Sequence, residues 1–127
     1  MGIVKIADAL KSSELLLEQN EFEQAARVLT LALARSQDQE AWKDTQELLQ
    51  RIPHQVRVEI LEIAFLYART LMFNDELQTL LEFNTQILRR YGIAGAARVQ
   101  LECAKSLLAS QRYVEASEMI GDRKSVV

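Results

Sequence analysis

Apolar residues recur at spacings of three and four along nearly the whole chain, and short polar breaks interrupt them. Ile3, Ile6, Ala7 and Leu10, then Leu15, Leu16 and Leu17, make a stripe that fades near Glu18. That period belongs to an amphipathic helix, not to the alternation of a strand. Gln19-Asn20-Glu21 is polar, and Phe22, Ala25, Ala26, Leu29, Ala32 and Leu33 predict a second helix. Ser36-Gln37-Asp38 breaks the pattern again, with Asp38 as the expected N-cap of a third helix through Trp42, Leu48 and Leu49. Pro53 stops the chain and suits the first position of a fourth helix. This helix is expected over residues 54–73, carrying Val56, Ile60, Ile63, Ala64, Tyr67, Leu71 and Met72. Asn74-Asp75 should end it and cap a fifth helix over residues 76–91. Arg89 and Arg90 there favour a helix C-terminus, and Gly92 is placed as a left-handed cap. A sixth helix is expected over 94–110 and a seventh over 113–121. Helices joined by such short connections should run up and down, each against its predecessor.

Composition supports the same class. With 4 Gly and 1 Pro in 127 residues, the frequent turns of a β-sandwich or barrel have nothing to form them. The expectation is an all-α chain, an antiparallel stack of helix hairpins with about seven helices. One helical domain covers residues 1–121, and 122–127 form a disordered tail or the start of a further helix. At 49% hydrophobic, the chain can bury a core without staples. Its single cysteine, Cys103, cannot close an internal disulfide. No secretory signal or long apolar run is present, and Ile6 stands where a myristoylation motif needs Ser or Thr. These features point to a cytoplasmic protein with no membrane attachment. The net charge of −3 argues against direct nucleic-acid binding, which needs clustered cations. Residues 1–52 carry 6 basic and 9 acidic side chains, whereas residues 93–127 carry 5 and 4, so the front end is mildly acidic.

Three of the breaks share a signature. Gln19-Asn20-Glu21-Phe22-Glu23-Gln24-Ala25 is echoed by Ser110-Gln111-Arg112-Tyr113-Val114-Glu115-Ala116, each continuing to an apolar residue, Leu29 or Ile120. Asn74-Asp75-Glu76-Leu77 is a weaker copy, with Leu80 in place of the Ala. Twelve residues before Ala25, Leu80 and Ala116 stand the small residues Ser13, Ala68 and Ala104. This pattern resembles the tetratricopeptide repeat, whose small residues let the two helices of a pair approach closely. The family's tryptophan, glycine and terminal proline are absent from all three copies. Leu77 and Tyr113 are 36 residues apart, near the family period, but Phe22 and Leu77 are 55 apart, so an additional helix around Trp42 intervenes. An odd helix reverses the phase of the helices after it, and the regular stack should be broken or re-paired near Pro53.

The resemblance implies a concave face lined by the first helix of each pair. Carried over, it offers Ala7, Leu10, Glu14, Leu17 and Glu18 from the first copy, and Glu62, Phe65, Arg69, Met72 and Phe73 from the second. The third adds Arg98, Leu101, Lys105 and Leu108. The last two sets combine cations with apolar surface, as peptide-gripping surfaces do, and the candidate partner site is therefore Phe65, Arg69, Met72, Phe73, Arg98, Leu101, Lys105 and Leu108. The carboxylate clamp of chaperone-binding members needs Lys and Asn where this chain has Leu10 and Glu14. Chemistry is not expected. His54 is the only histidine, too few for a metal cluster, and Cys103 sits on an apolar helix face as an inert thiol. Gly92 and Gly95 lack the Lys of a phosphate loop. No enzyme activity, cofactor or metal is expected. The leading expectation is a protein-interaction module that binds a peptide or helix of a partner protein, as a scaffolding or sensor segment of a larger regulatory or signalling protein. The alternatives are a small free-standing chaperone or adaptor, with homodimerisation open to it, and last a small-molecule sensor.

Overall fold

The computed structural model describes residues 5–109, and no strand occurs among them. Six helical elements occur in order: α1 (Ile6–Glu18), α2 (Phe22–Leu33), α3 (Gln39–Gln50), α4 (His54–Glu59), α5 (Leu61–Phe73) and α6 (Leu77–Ala109). The helix expected over residues 113–121, its anchors Ala116 and Ile120, and the segment 122–127 lie outside the described residues.

The polar breaks form the turns their residues favour. At the end of α1, Asn20 has φ 62°; at the end of α5, Asp75 has φ 57°. These left-handed positions suit Asn and Asp better than other side chains. Around each, the hydrogen bonds are those of a Schellman motif. Glu21 N donates to Leu16 O at 2.8 Å and Asn20 N to Leu17 O at 3.1 Å. Glu76 N donates to Leu71 O at 2.9 Å and Asp75 N to Met72 O at 3.3 Å. Asp38 caps α3 as expected, its Oδ1 accepting from Glu40 N at 3.1 Å. Pro53 differs by one position: it stands just before α4, which begins at His54.

One expected boundary changes, and one expected cap takes another conformation. The single helix expected over 54–73 is divided at Ile60, whose φ of −101° and ψ of 107° are extended. Val56, Val58 and Ile60 are β-branched and weakly helix-forming, and a distant side chain replaces the helical hydrogen bonds lost there. The Tyr91 hydroxyl reaches Val58 O at 2.8 Å and Glu59 O at 2.6 Å. Below it, Arg57 Nη1 donates to Leu49 O and Ile52 O at 2.9 and 2.7 Å, tying α4 to the end of α3. The second change is at Gly92, which takes φ 77° but ψ −176° instead of the left-handed cap. That region is essentially reserved for glycine. Within α6 it turns the chain back on itself with no loop. Cys103 Sγ lies 3.8 Å from Leu80 O, whereas 23 residues of straight helix would separate them by roughly 34 Å. The two limbs of α6, residues 77–91 and 93–109, are therefore a hairpin. A Cβ added at Gly95 would collide with Tyr91 Cβ, so close packing also demands glycine there.

The small residues singled out by the repeat pattern are buried wherever they fall among the described residues: Ser13, Ala25, Ala68 and Ala104, with Leu80 in the position of the missing Ala. Helix α3 departs from predecessor-on-predecessor packing. It packs mainly on α5 and more lightly on α1, while α2 also packs on α5. Trp42 fixes α3 in place, fully buried and stacked on Phe73 with ring centroids 4.4 Å apart. Its indole N–H donates to Ser36 O at 3.0 Å. Asn74 Nδ2 donates to Trp42 O and to Gln46 Oε1, and Gln46 Nε2 donates to Glu76. The result is two layers. α1 and α3 form one, continued through α4 to the first limb of α6; α2, α5 and the second limb form the other. A single apolar core runs between them from Ala26 to Cys103.

Candidate partner-binding groove

The second layer carries a groove of about 530 Å³ on its outer face. Helix α2 contributes Ala26, Arg27, Thr30 and Leu31, and α5 contributes Glu62, Phe65, Leu66 and Arg69. Arg98, Leu101, Glu102 and Lys105 come from the second limb of α6. Each wall buries its apolar stripe in the core behind: Leu29 and Leu33, Ile63 and Ala64, Val99 and Cys103. What remains toward the groove is the opposite edge of each helix, and that edge is not purely polar. Leu31 is 77% exposed and Leu101 49%.

Of the expected site residues, Phe65, Arg69, Arg98, Leu101 and Lys105 come together here. Met72, Phe73 and Leu108 are not among the lining residues. Phe73 is turned to the other side, held against Trp42 of α3; Met72 is half-buried against the core; Leu108 is exposed elsewhere on the limb. The first-copy positions lie apart from this groove. Glu14, Leu17 and Glu18 of α1 line a separate, smaller hollow of about 290 Å³ with Leu48, Arg51 and Pro53. There Arg51 Nη1 pairs with Glu14 Oε2 at 2.7 Å. The third wall of the main groove is α2, because α1 lies in the other layer.

Four cations and two carboxylates line the groove. Arg27 pairs with Glu62 at 3.6 Å and Lys105 with Glu102 at 3.5 Å. The Arg98 guanidinium lies over the Phe65 ring, 5.0 Å from its centroid, in cation–π contact. Arg69 has no ion pair among the described residues, and its Nε is buried without a hydrogen-bond partner. Glu102 is only 8% exposed and its Oε1 is likewise unpartnered. Buried polar atoms are rarely left so, and both of these belong to groove residues.

Sequence reasoning missed Arg27, Leu31 and Glu102. Leu31 carried a readable signal: it falls two residues from both Leu29 and Leu33, out of phase with the buried stripe of α2. Glu102 gave none, since its burial depends on the α6 reversal. Cys103, beside it, is fully buried, and its thiol is pushed up from 9.0 to about 12 by burial first and by the Glu102 carboxylate second. It stays protonated at neutral pH. His54 is remote from it in contacts, with Nε2 2.6 Å from Gln86 Oε1 and its ring edge-on to Phe83. Among the described residues no group of three His, Cys, Asp or Glu is placed to hold a metal ion. No helix among them is long and apolar enough to cross a membrane. Comparison with protein-family models, with curated proteins and with solved structures finds no match to this chain.

Proposed function

We propose that this chain is a non-catalytic protein-interaction module that holds a peptide or helix of a partner protein in the groove between α2, α5 and the second limb of α6. The observation that carries this reading is the exposed pair Leu31 and Leu101, set beside Phe65 and among arginines. Apolar anchors with Arg and aromatic neighbours are the surface composition that binding hot spots favour. A groove between parallel helices suits an extended or helical segment with anchors at regular spacing. We include in the proposal a helical-repeat organisation of the tetratricopeptide kind, with a phase reversal at α3. The matched turns at Asn20 and Asp75 and the buried small residues Ser13 and Ala68 support it. A scaffolding or sensor segment of a larger cytoplasmic regulatory protein is the role that fits such a module.

The test uses neutral substitutions on the groove. Leu31→Gln plus Leu101→Gln removes both exposed anchors without changing charge. Affinity capture from the native cell with mass spectrometry should recover a partner on the unaltered protein and lose it on the double variant, with helicity and Tm unchanged. Equal recovery on both proteins would remove the groove from consideration.

A further inference from the structure

The chain as a whole is negative, at −3, yet its groove is positive. Four cations face two carboxylates, and both carboxylates already have a cation within 4 Å, Arg27 for Glu62 and Lys105 for Glu102. Arg69 and Arg98 are the cations left over, with no carboxylate in ion-pair reach among the described residues. Two chain reversals, at residues 74–76 and at Gly92, separate α5 from the second limb of α6, so these two helices run the same way. Arg98 lies over Phe65; one turn further along each helix, Arg69 and Glu102 therefore stand at the same level. There a buried guanidinium nitrogen lacks an acceptor and a buried carboxylate oxygen lacks a donor.

Resting on the peptide-binding reading above, we propose that the groove selects acidic segments: a partner carboxylate is taken by Arg69 and Arg98 while a large apolar side chain rests on Leu31, Phe65 and Leu101. Guanidinium–carboxylate pairs are the strong, directional form of charge-assisted hydrogen bond. Phe65 holds Arg98 flat, which pre-sets the donor fork before the partner arrives. Glu102 adds a second requirement. A bare anion entering at the level of Arg69 would meet its carboxylate as a like charge. A peptide answers this, because it brings backbone N–H donors along with its acidic side chain.

The experiment is a selection from a random twelve-residue peptide library displayed on phage, run on the immobilised full chain. The enriched pool should carry net negative charge and at least one large apolar residue. A fluorescein-labelled copy of an enriched peptide should bind at least tenfold more weakly when its Asp and Glu are changed to Asn and Gln. The same loss should result from Arg69→Gln plus Arg98→Gln in the protein. Arg89→Gln plus Arg90→Gln, which removes two exposed cations outside the groove, should leave binding unchanged. Circular dichroism of each variant verifies that it is folded. A neutral or basic pool that still depends on Leu31 and Leu101 would overturn acid selectivity and leave the peptide-binding reading standing. So would an acidic pool indifferent to Arg69 and Arg98. Absence of any enrichment would overturn both.

Discussion

Two hairpins in this protein share a turn and put it to opposite use. The α1/α2 pair and the pair made by α5 with the first limb of α6 both close through a left-handed Asn or Asp and the same two backbone hydrogen bonds. Both bury a small residue in the first helix, Ser13 or Ala68, twelve positions before a buried residue in the second. Yet the groove takes its wall from the second helix of one pair, α2, and from the first helix of the other, α5. Local sequence made the two turns alike, but which layer each helix joins was decided between them. Helix α3 stands between the two pairs in sequence and packs mainly on α5, the first helix of the second pair.

That comparison breaks most sharply at Trp42. If α3 is the element that sets the phase, removing its anchor should cost the whole domain, not one end of it. Trp42→Ala should destabilise by about 3–5 kcal/mol, the range for deleting a buried aromatic. Urea titration followed by circular dichroism checks this, because the only tryptophan is gone. A loss well under 1 kcal/mol would make α3 a passenger.

Next in size is the contrast between reversals. Gly92 occupies backbone space closed to other residues, so Gly92→Ala should cost about 1–3 kcal/mol and lower Tm. Third, the second limb of α6 carries a buried thiol, and the α1/α2 hairpin has none. The Cys103 thiol is raised from 9.0 to about 12 in the fold, so its contribution is complete below pH 9. It is lost as pH climbs toward 12, at about 1.4 kcal/mol per pH unit. The difference in stability between the unaltered protein and Cys103→Ala, measured by urea titration from pH 8 to 11, should shrink along that slope. A constant difference would show that the thiol ionises freely. Smallest are the matched turns themselves. Asn20→Gly and Asp75→Gly relieve the same left-handed strain, and each should stabilise by a few tenths of a kcal/mol. Opposite signs would show that the likeness of the two turns is superficial.

Much of this was legible because it is local. The stripes of α1, α2 and α3, the cap at Asp38 and the polar breaks at Asn20 and Asp75 are each determined within a few residues. The spacing of 55 between Phe22 and Leu77 also announced an additional helix around Trp42, which is α3. What could not be read depends on groups far apart in the chain. Ile60 leaves the helix where Tyr91, more than thirty residues later, takes over two carbonyls. Gly92 ends a helix as expected, but its ψ of −176° lies outside the left-handed cap and starts the next limb without a loop. Arg69, Arg98 and Lys105, carried over from the repeat resemblance, line one groove, but Phe73, carried over with them, does not. A stack on Trp42 holds it on the other side.

The reversal at Gly92 has a bearing on how the groove tolerates change. A loop between two helices absorbs insertions by letting the second helix settle independently of the first. Here the link has no length, so the rotational setting of residues 77–91 passes directly to residues 93–109. One residue added after Gly92 would turn the next limb by about 100° and carry Arg98, Leu101 and Lys105 out of alignment with Phe65 and Arg69. The composition of the groove is thus inherited from the angle of a helix that does not line it.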